Sequence, residues 1–532
     1  MFKGRVNMES FLDDTRVALV KESHHYCRTP PFHPSEKLPE WPHSSTSHED
    51  NPVYRALRQL FYNLKLDIAH YGDQDWNPLS EIVQPGDVVV LKPNLVTHYN
   101  HGPERDTSSL VTHGSVIRAV LDYTAKALKG YGKIVIGDCP LQGTDWQKLS
   151  ELVGLEQIES YFRVAFPKIE LVIKDYRLGR AVLQSERVVE RIASDRLIDE
   201  YLEIDLKQES LLMPLIAQGC KFGVSQYSRR RMSVAHTLKT NKYLMPRDFV
   251  YADVMINLPK MKSHIKAGIT CALKNFVGIN GHKDYLPHFC FGSPKMGGDE
   301  YPDGNLLSDL MWYCYHCDWE LDRGKLKTLF NLSGRVCEKF LKLFCGHNNT
   351  ALLGAGSWYG NDTIWRTIID INKAYYYFDR NNKIVTKHPS RDVKYLAILD
   401  GLVGGEKEGP LSPSPIKSGI MMAAHNPLAL DTVATAFMGF DITKIKQVWQ
   451  AFSLSTLPLA NFYPEDIVIC SALPTKSIVD IYQQKVYSCF EPPYGFKNKV
   501  EYRQEKSNNL PSTATLPFLQ RYGKLPLNKQ QS

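Results

Sequence analysis

Residues Asp87–Asn94 read DVVVLKPN, and residues Lys133–Pro140 read KIVIGDCP. Each is a short, unbroken apolar run that closes on polar residues. Between them, Ser115 to Leu128 carries its apolar residues at helical spacing. A strand, a helix and a strand at these distances make a βαβ unit. Continuous apolar strands suit a parallel sheet that is covered on both faces, since alternation is needed only where one face meets water. The same kind of strand returns at Asp253–Leu258 (DVMINL) and at Lys394–Leu399 (KYLAIL). The expected fold is therefore α/β, a mostly parallel sheet with helices on both faces, with α+β insertions.

Working outward, the chain divides into three parts. Residues 1–52 hold an N-terminal strand (Thr15–Lys21) and an irregular excursion rich in His, Pro and Ser. Residues 53–490 form the α/β core: the βαβ region at 85–140, an elaboration at 142–250, a densely basic region at 253–302, a helical region at 312–345 and a C-terminal α/β part at 390–490. Residues 491–532, polar and proline-bearing, read as a poorly ordered tail.

The 532 residues are 43% hydrophobic and 23% charged, enough for a large core. A net charge of +7 is mild for this length; it fits anionic ligands and argues against a nucleic-acid protein. No apolar run approaches the ~18 residues of a membrane span. The N-terminus is charged where a signal peptide needs an apolar core. The 11 cysteines follow no framework, so reduced, mostly buried thiols and a cytoplasmic location are expected.

Four strands end in chemistry-bearing text: Lys92-Pro93-Asn94, Asp138-Cys139-Pro140, the run from Pro259, and Asp400-Gly401. Ligands of open α/β sheets sit beyond the carboxyl ends of the strands, which makes these ends the expected walls of a cleft. The run Asn257–His288 is the densest. Lys260, Lys262, His264 and Lys266 crowd one expected loop, and a helix is expected from about Ala267 to Lys274, its free N–H groups forming an anion site. Lys274 and Asn275 close it; His282, Lys283 and His288 follow. Lys92, Asn94, Lys260, Lys262, Lys274, Asn275, Lys283 and His288 are the candidate substrate-binding residues, since ammonium groups and amides suit a phosphate or carboxylate. His264, His282 and Asp138 are the candidates for proton transfer.

These motifs carry a resemblance. Pro259, Lys260, Lys262, His264, Gly268 and Ala272-Leu273-Lys274-Asn275 resemble the signature of the family catalogued as domain of unknown function 362. The similarity extends to Lys92-Pro93-Asn94, Gly281-His282-Lys283, Asp299-Glu300-Tyr301, Gly360-Asn361-Asp362, Asp400-Gly401 and Asn426 to Asp431, roughly residues 85 to 455. Members of this longer type look like those encoded beside polysaccharide-biosynthesis functions, which implies a sugar-related substrate and protein partners in a glycan pathway. Many members also carry a cysteine-rich ferredoxin module. It is missing from this sequence, so no iron–sulfur cluster is expected.

Asp400, Asp299 and Glu300, with Asp138, Glu406 and Glu408, are loop carboxylates that would bind Mg²⁺ if they converged opposite the lysines. Cys314 and Cys317 form a lone C-x-x-C in helical text and read as core thiols. Three functions remain open: an enzyme acting on a phosphorylated or carboxylated sugar, a non-catalytic anion- or partner-binding component with a large exposed apolar patch, and a hydroxy-acid isomerase with a metal cofactor. The first requires Lys92, Asn94, Asp138, Lys260, Lys262, His264, Lys274 and Asp400 in one cleft. The third requires histidines at its centre.

Overall fold

The computed structural model describes residues 11–503 apart from 42–44, 185–186, 194–197, 228–229, 303–304, 322–323, 346–352, 380–383 and 385–393. Ten strands matter for the site: β1 (Arg16–Lys21), β2 (Val88–Pro93), β3 (Gly132–Asp138), β4 (Ile169–Asp175), β5 (Val254–Leu258), β6 (Lys260–His264), β7 (Gly268–Thr270), β8 (Lys394–Glu408), β9 (Ile420–Ala424) and β10 (Val468–Cys470). The central sheet runs β10–β1–β9–β8–β5–β2–β3–β4. From β8 to β4 every neighbour is parallel, and β9 is antiparallel to both β8 and β1. The α/β expectation and its parallel βαβ unit hold. The N-terminal strand β1 is a member of this sheet.

Alternation along each strand sends side chains into two separate cores. Val89, Leu91, Val254, Ile256, Leu396 and Ile398 enter one core, together with helices α1 (Pro52–Asn63) and α2 (Gly114–Leu128). Val90, Met255, Ala397 and Leu399 enter the other. Four further helices are used below: α3 (Leu306–Glu320), α4 (Lys325–Cys345), α5 (Ile364–Tyr377) and α6 (Pro427–Phe437). The apolar residues of α5 and α6 fill this second core. Both faces of the strands are apolar because both faces are covered.

Several local expectations are corrected. Ala267–Gly268 does not open a helix. β6 and β7 form a hairpin, with Ser263 opposite Ile269, and the helix is only Ala272–Asn275. Gly268 decides this. Its φ of +85° is turn geometry, and a Cβ there would meet Ile445 at 2.8 Å. Lys260, Lys262 and His264 therefore lie on a strand. Asp400 does not end one either: β8 runs on to Glu408 because β6 and the strand Ser412–Ile416 pair with it.

The reading of wholly reduced cysteines fails at one pair. Cys220 and Cys290 form a disulfide, brought together where Phe222–Gly223 pairs antiparallel with Phe289–Cys290. The expected tail is packed as far as residue 503. Phe496 and Val500 are buried, Phe496 lies against the Tyr359 ring, and Phe440 bridges to Glu501. The rest of that call, residues 504–532, lies outside the described residues.

Ile256 is fully buried in the middle of the sheet. Ile256→Ala leaves a cavity that the flanking strands cannot close, and is expected to lower stability by about 2–5 kcal/mol. Urea unfolding followed by far-ultraviolet circular dichroism measures it, and a loss well under 1 kcal/mol would contradict the placement of this strand.

Candidate functional site

The register of the parallel strands lines up their polar ends. Asn257 sits opposite Lys92 on one side and Ala397 on the other, and Lys260 sits opposite Asp400. Past Leu258, Pro259 lets the chain step from β5 into β6, which continues the sheet along β8. Beyond these ends lies a cavity of about 1230 Å³. Its wall includes Asn94, Asp138, Lys262, His264, Lys266, Lys274, Asn275, Lys283 and His288.

At and beneath that wall lie two buried ion pairs. Lys92 Nζ meets Asp138 Oδ1 at 2.8 Å, and the carboxylate also accepts from the backbone N–H groups of Leu95 and Cys139, each at 2.7 Å. Lys92 also donates to the Pro93 carbonyl and to Asn275 Oδ1. Gly278 makes this closeness possible, because a Cβ there would stand 2.2 Å from Asp138 Oδ1. Lys260 Nζ lies 3.1 Å from Asp400 Oδ2 and donates to the Tyr26 hydroxyl at 2.8 Å. Tyr26 donates to Asp400 Oδ1, and the His113 backbone N–H donates to Oδ2 at 3.0 Å. The Tyr26 ring stacks on His113 at 4.2 Å. Such full satisfaction is what keeps a buried charge tolerable.

Amides tie the pairs to the wall. Asn275 Nδ2 donates to Asn257 Oδ1 at 2.7 Å and to the Lys92 carbonyl at 3.1 Å, while its Oδ1 accepts from Asn94 Nδ2 at 3.0 Å. Asp431, at the centre of α6, accepts from the Ala272 and Leu273 N–H groups at 2.6 and 3.0 Å, which fixes the short helix carrying Lys274 and Asn275. Burial pushes the Asp431 carboxyl up to about 7.

The cavity lysines lack such carboxylates. Lys262 donates to Asn94 Oδ1 at 3.0 Å and to the Leu110 carbonyl, and Lys266 donates to Ser225 Oγ at 3.2 Å and to the Ala355 carbonyl. Lys274 and Lys283 make no ion pair with a carboxylate among the described residues. Asp138 and Asp145 are the acids on the wall. Lys92 holds the first, and the second caps a helix through the Gln147 and Lys148 N–H groups. Burial, reinforced by Lys283 for both, lowers Lys266 and Lys274 to about 7. Burial lowers Lys262 well below its ordinary value, with Lys260 and Lys274 adding to the effect. It lowers Lys283 as well.

Two histidines complete the wall, in opposite tautomers. His264 Nδ1 accepts from the N–H groups of Lys266 and Ala267, at 3.0 and 3.2 Å, so the neutral ring carries its proton on Nε2. His288 Nδ1 donates to the Leu286 carbonyl at 2.7 Å, which leaves Nε2 as an acceptor. Burial first and the surrounding lysines second hold both rings well below the usual histidine range, hence neutral.

Of the eight residues required in one cleft, Asn94, Asp138, Lys262, His264 and Lys274 line it. Lys92, Lys260 and Asp400 support it from within the protein. His282 lies off the wall, its Nδ1 accepting from the Asp284 N–H. Asp299 instead accepts from Cys290 N, Asp362 N and Thr363 Oγ1, and Glu300 pairs with His316 Nε2 at 2.7 Å. Those two acids brace loops and do not join Asp400. Among the described residues no three His, Cys, Asp or Glu side chains gather as a metal site. Cys314 is buried in α3 as a core thiol, and Cys317 is half-buried. Tyr26, His113 and Asp431 carry structural duties that their own text does not announce.

The fold and this wall define an α/β protein with a lysine-lined cavity at the carboxyl ends of parallel strands. The chain belongs to the family described as "Domain of unknown function (DUF362)", whose sequence model matches residues 89–193 and 215–436. No curated protein matches. A crystal structure of a Thermotoga maritima protein aligns at 9% identity and a TM-score of 0.27, over 68% of this chain and 57% of that one. The chain thus spans little more than half of that protein's length. Among the described residues no helix is long and apolar enough to cross a membrane.

Lys92→Met leaves Asp138 buried without its cation and is expected to cost about 3–5 kcal/mol. Adding Asp138→Leu removes the stranded charge and should recover much of that loss. A denaturation double-mutant cycle measures both; additive losses would show that the two side chains do not interact.

Proposed function

We propose that the protein is an enzyme acting on an anionic, sugar-type substrate bearing a phosphate or carboxylate. The observation that carries this reading is the set Lys262, Lys266, Lys274 and Lys283 on one cavity wall, with no acid among the described residues there left to pair with them. Lys262 is buried and the other three are half-buried; ammonium groups so placed without counter-charges are costly, and an anion of matching shape relieves that cost. The polar wall (Asn94, Gln142, Thr144, Tyr227) suits hydroxyl groups, and Trp146 lies on the same lining.

His264 and His288 supply the chemistry. A neutral ring with Nε2–H donates to a substrate oxygen, and a neutral ring with a bare Nε2 accepts a proton. We assign the first role to His264 and the second to His288, in a proton-transfer step on a carbon or hydroxyl beside the anionic group. This pair also favours the isomerase reading, which shares the same step. Among the described residues no carboxylate set is gathered for a resident Mg²⁺: Asp138 is held by Lys92 and two N–H groups, and Asp299 and Glu300 brace loops. A place in polysaccharide biosynthesis, with partners of that pathway, rests on the resemblance alone.

A panel of sugar phosphates, uronic acids and neutral sugars, read by thermal shift, tests the ligand class. A true ligand at a hundredfold over its Kd adds about 2.7 kcal/mol of stability. The anionic sugars are expected to stabilise the protein and the neutral ones are not; no shift with any anion would overturn the reading. Lys274→Ala is expected to weaken anion binding about ten- to a hundredfold. His288→Gln should leave binding intact and lower turnover of the identified substrate about 10²- to 10⁴-fold.

Proton linkage gives a separate check. Lys266 and Lys274 titrate near 7 without ligand. A bound anion favours their charged forms, so binding takes up protons and must weaken as pH rises above 7. Sulfate stays dianionic over this range. Its affinity by isothermal titration calorimetry is expected to fall more than about tenfold between pH 7 and pH 9, and an affinity flat with pH would contradict these lysines as the site.

A further inference from the structure

The helical hairpin α3–α4 leaves a long row of apolar side chains exposed. Its own core among the described residues is small: Met311, Cys337 and Leu341. Gly334 allows the close approach, since a Cβ there would meet Tyr315 at 2.8 Å. Outward, by contrast, α4 presents Leu326, Leu329, Leu332, Val336, Phe340 and Leu343, of which Leu329, Leu332 and Leu343 are 57%, 59% and 76% exposed. At 3.6 residues per turn these lie within an arc of about 120° that flanks the side carrying Cys337 and Leu341. The stripe runs through α4's 21 residues, a length of about 30 Å. On α3, Leu310 and Tyr313 are exposed as well. A patch this long on a soluble face marks an interaction surface.

The charges identify what it fits. Arg335 and Lys339 are exposed along one edge of the stripe, Lys325 stands at its start, and Lys342 follows on the same edge. Glu338 is the acid on α4, and Lys342 holds it at 2.6 Å. The stripe is a convex ridge of Leu, Phe and Val with a basic margin. An amphipathic helix of this design lies in the plane of a membrane surface, its apolar side in the acyl boundary and its basic side chains reaching acidic headgroups. Neither helix is suited to cross the bilayer.

We propose that α3–α4 docks this protein on an anionic membrane surface. The hairpin is rooted beside the site. His316 Nε2 binds Glu300 at 2.7 Å and meets the Phe291 ring edge-on at 4.3 Å, on the segment that follows His288. The proposal is independent of the reaction assigned above, because it uses no residue of the cavity.

The test is co-sedimentation of the full chain with phosphatidylcholine vesicles, with and without phosphatidylserine. The protein is expected to sediment with the mixed vesicles and less with phosphatidylcholine alone. The double variant Leu332→Asp/Leu343→Asp alters exposed positions, so it should keep its melting temperature while its partitioning falls on the order of a hundredfold. Arg335→Glu/Lys339→Glu should lower binding to the mixed vesicles by on the order of tenfold or more. No sedimentation of the parent chain with either vesicle, or sedimentation unchanged by the Leu332→Asp/Leu343→Asp variant, overturns the proposal. So does a self-associated parent chain that this variant renders monomeric, without vesicle binding; the stripe would then be an interface between copies.

Discussion

Lysine ammonium groups concentrated at one end of a parallel sheet, inside the protein, are the constraint around which the rest of this structure is arranged. An ammonium taken out of water must find a counter-charge or give up its proton. The protein does both. Lys92 and Lys260 are matched with Asp138 and Asp400, and each carboxylate is filled by further N–H or hydroxyl donors. Lys262, Lys266, Lys274 and Lys283 line the cavity without such partners among the described residues, and their proton affinities are depressed. The ion-paired lysines lie behind the cavity wall, and the other four lie on it.

The surrounding architecture follows from this division. The strand register puts Lys92 level with Asn257 and Lys260 level with Asp400, so pairs and amides mesh without long reaches. Asn275 joins Asn94, Asn257 and Lys92 in one network, which makes the wall a rigid unit. Gly278 leaves room for the Lys92–Asp138 contact, and Asp431 holds the turn that aims Lys274. The two histidines are set in opposite tautomers by backbone groups alone, so their donor and acceptor roles do not depend on a neighbouring side chain.

Much of the sheet was legible in the sequence. Runs such as DVVVL and KIVI are too short and too apolar to be anything but strands covered on both faces, and Lys92 and Asp138 mark where two of them stop. The errors came where local text is ambiguous. Residues 267–274 suit a helix by composition, yet Gly268 has turn geometry and the chain pairs as a hairpin. Asp400-Gly401 looks like a strand end, but pairing partners far away in sequence extend β8. Phe496 and Val500 look like tail residues until Tyr359 and Phe440 are brought beside them. Tyr26 sits in irregular, polar text, and only its place against Lys260 and Asp400 gives it a role.

By itself the sequence determined the fold class, the positions of the main parallel strands and the lysine-rich segment that follows β5, because apolar runs and lysine clusters are local properties. Only the tertiary structure decided which lysines are neutralised and which are available, because a charge's state depends on its burial and on the groups set against it. It separated Lys92 and Lys260 from Lys262, Lys266, Lys274 and Lys283, moved His282 off the wall, and gave His264 and His288 opposite proton positions. It also showed that the apolar residues of α4 lie outside the core. Periodicity reveals that a helix has an apolar stripe; only the packed chain reveals whether anything covers it.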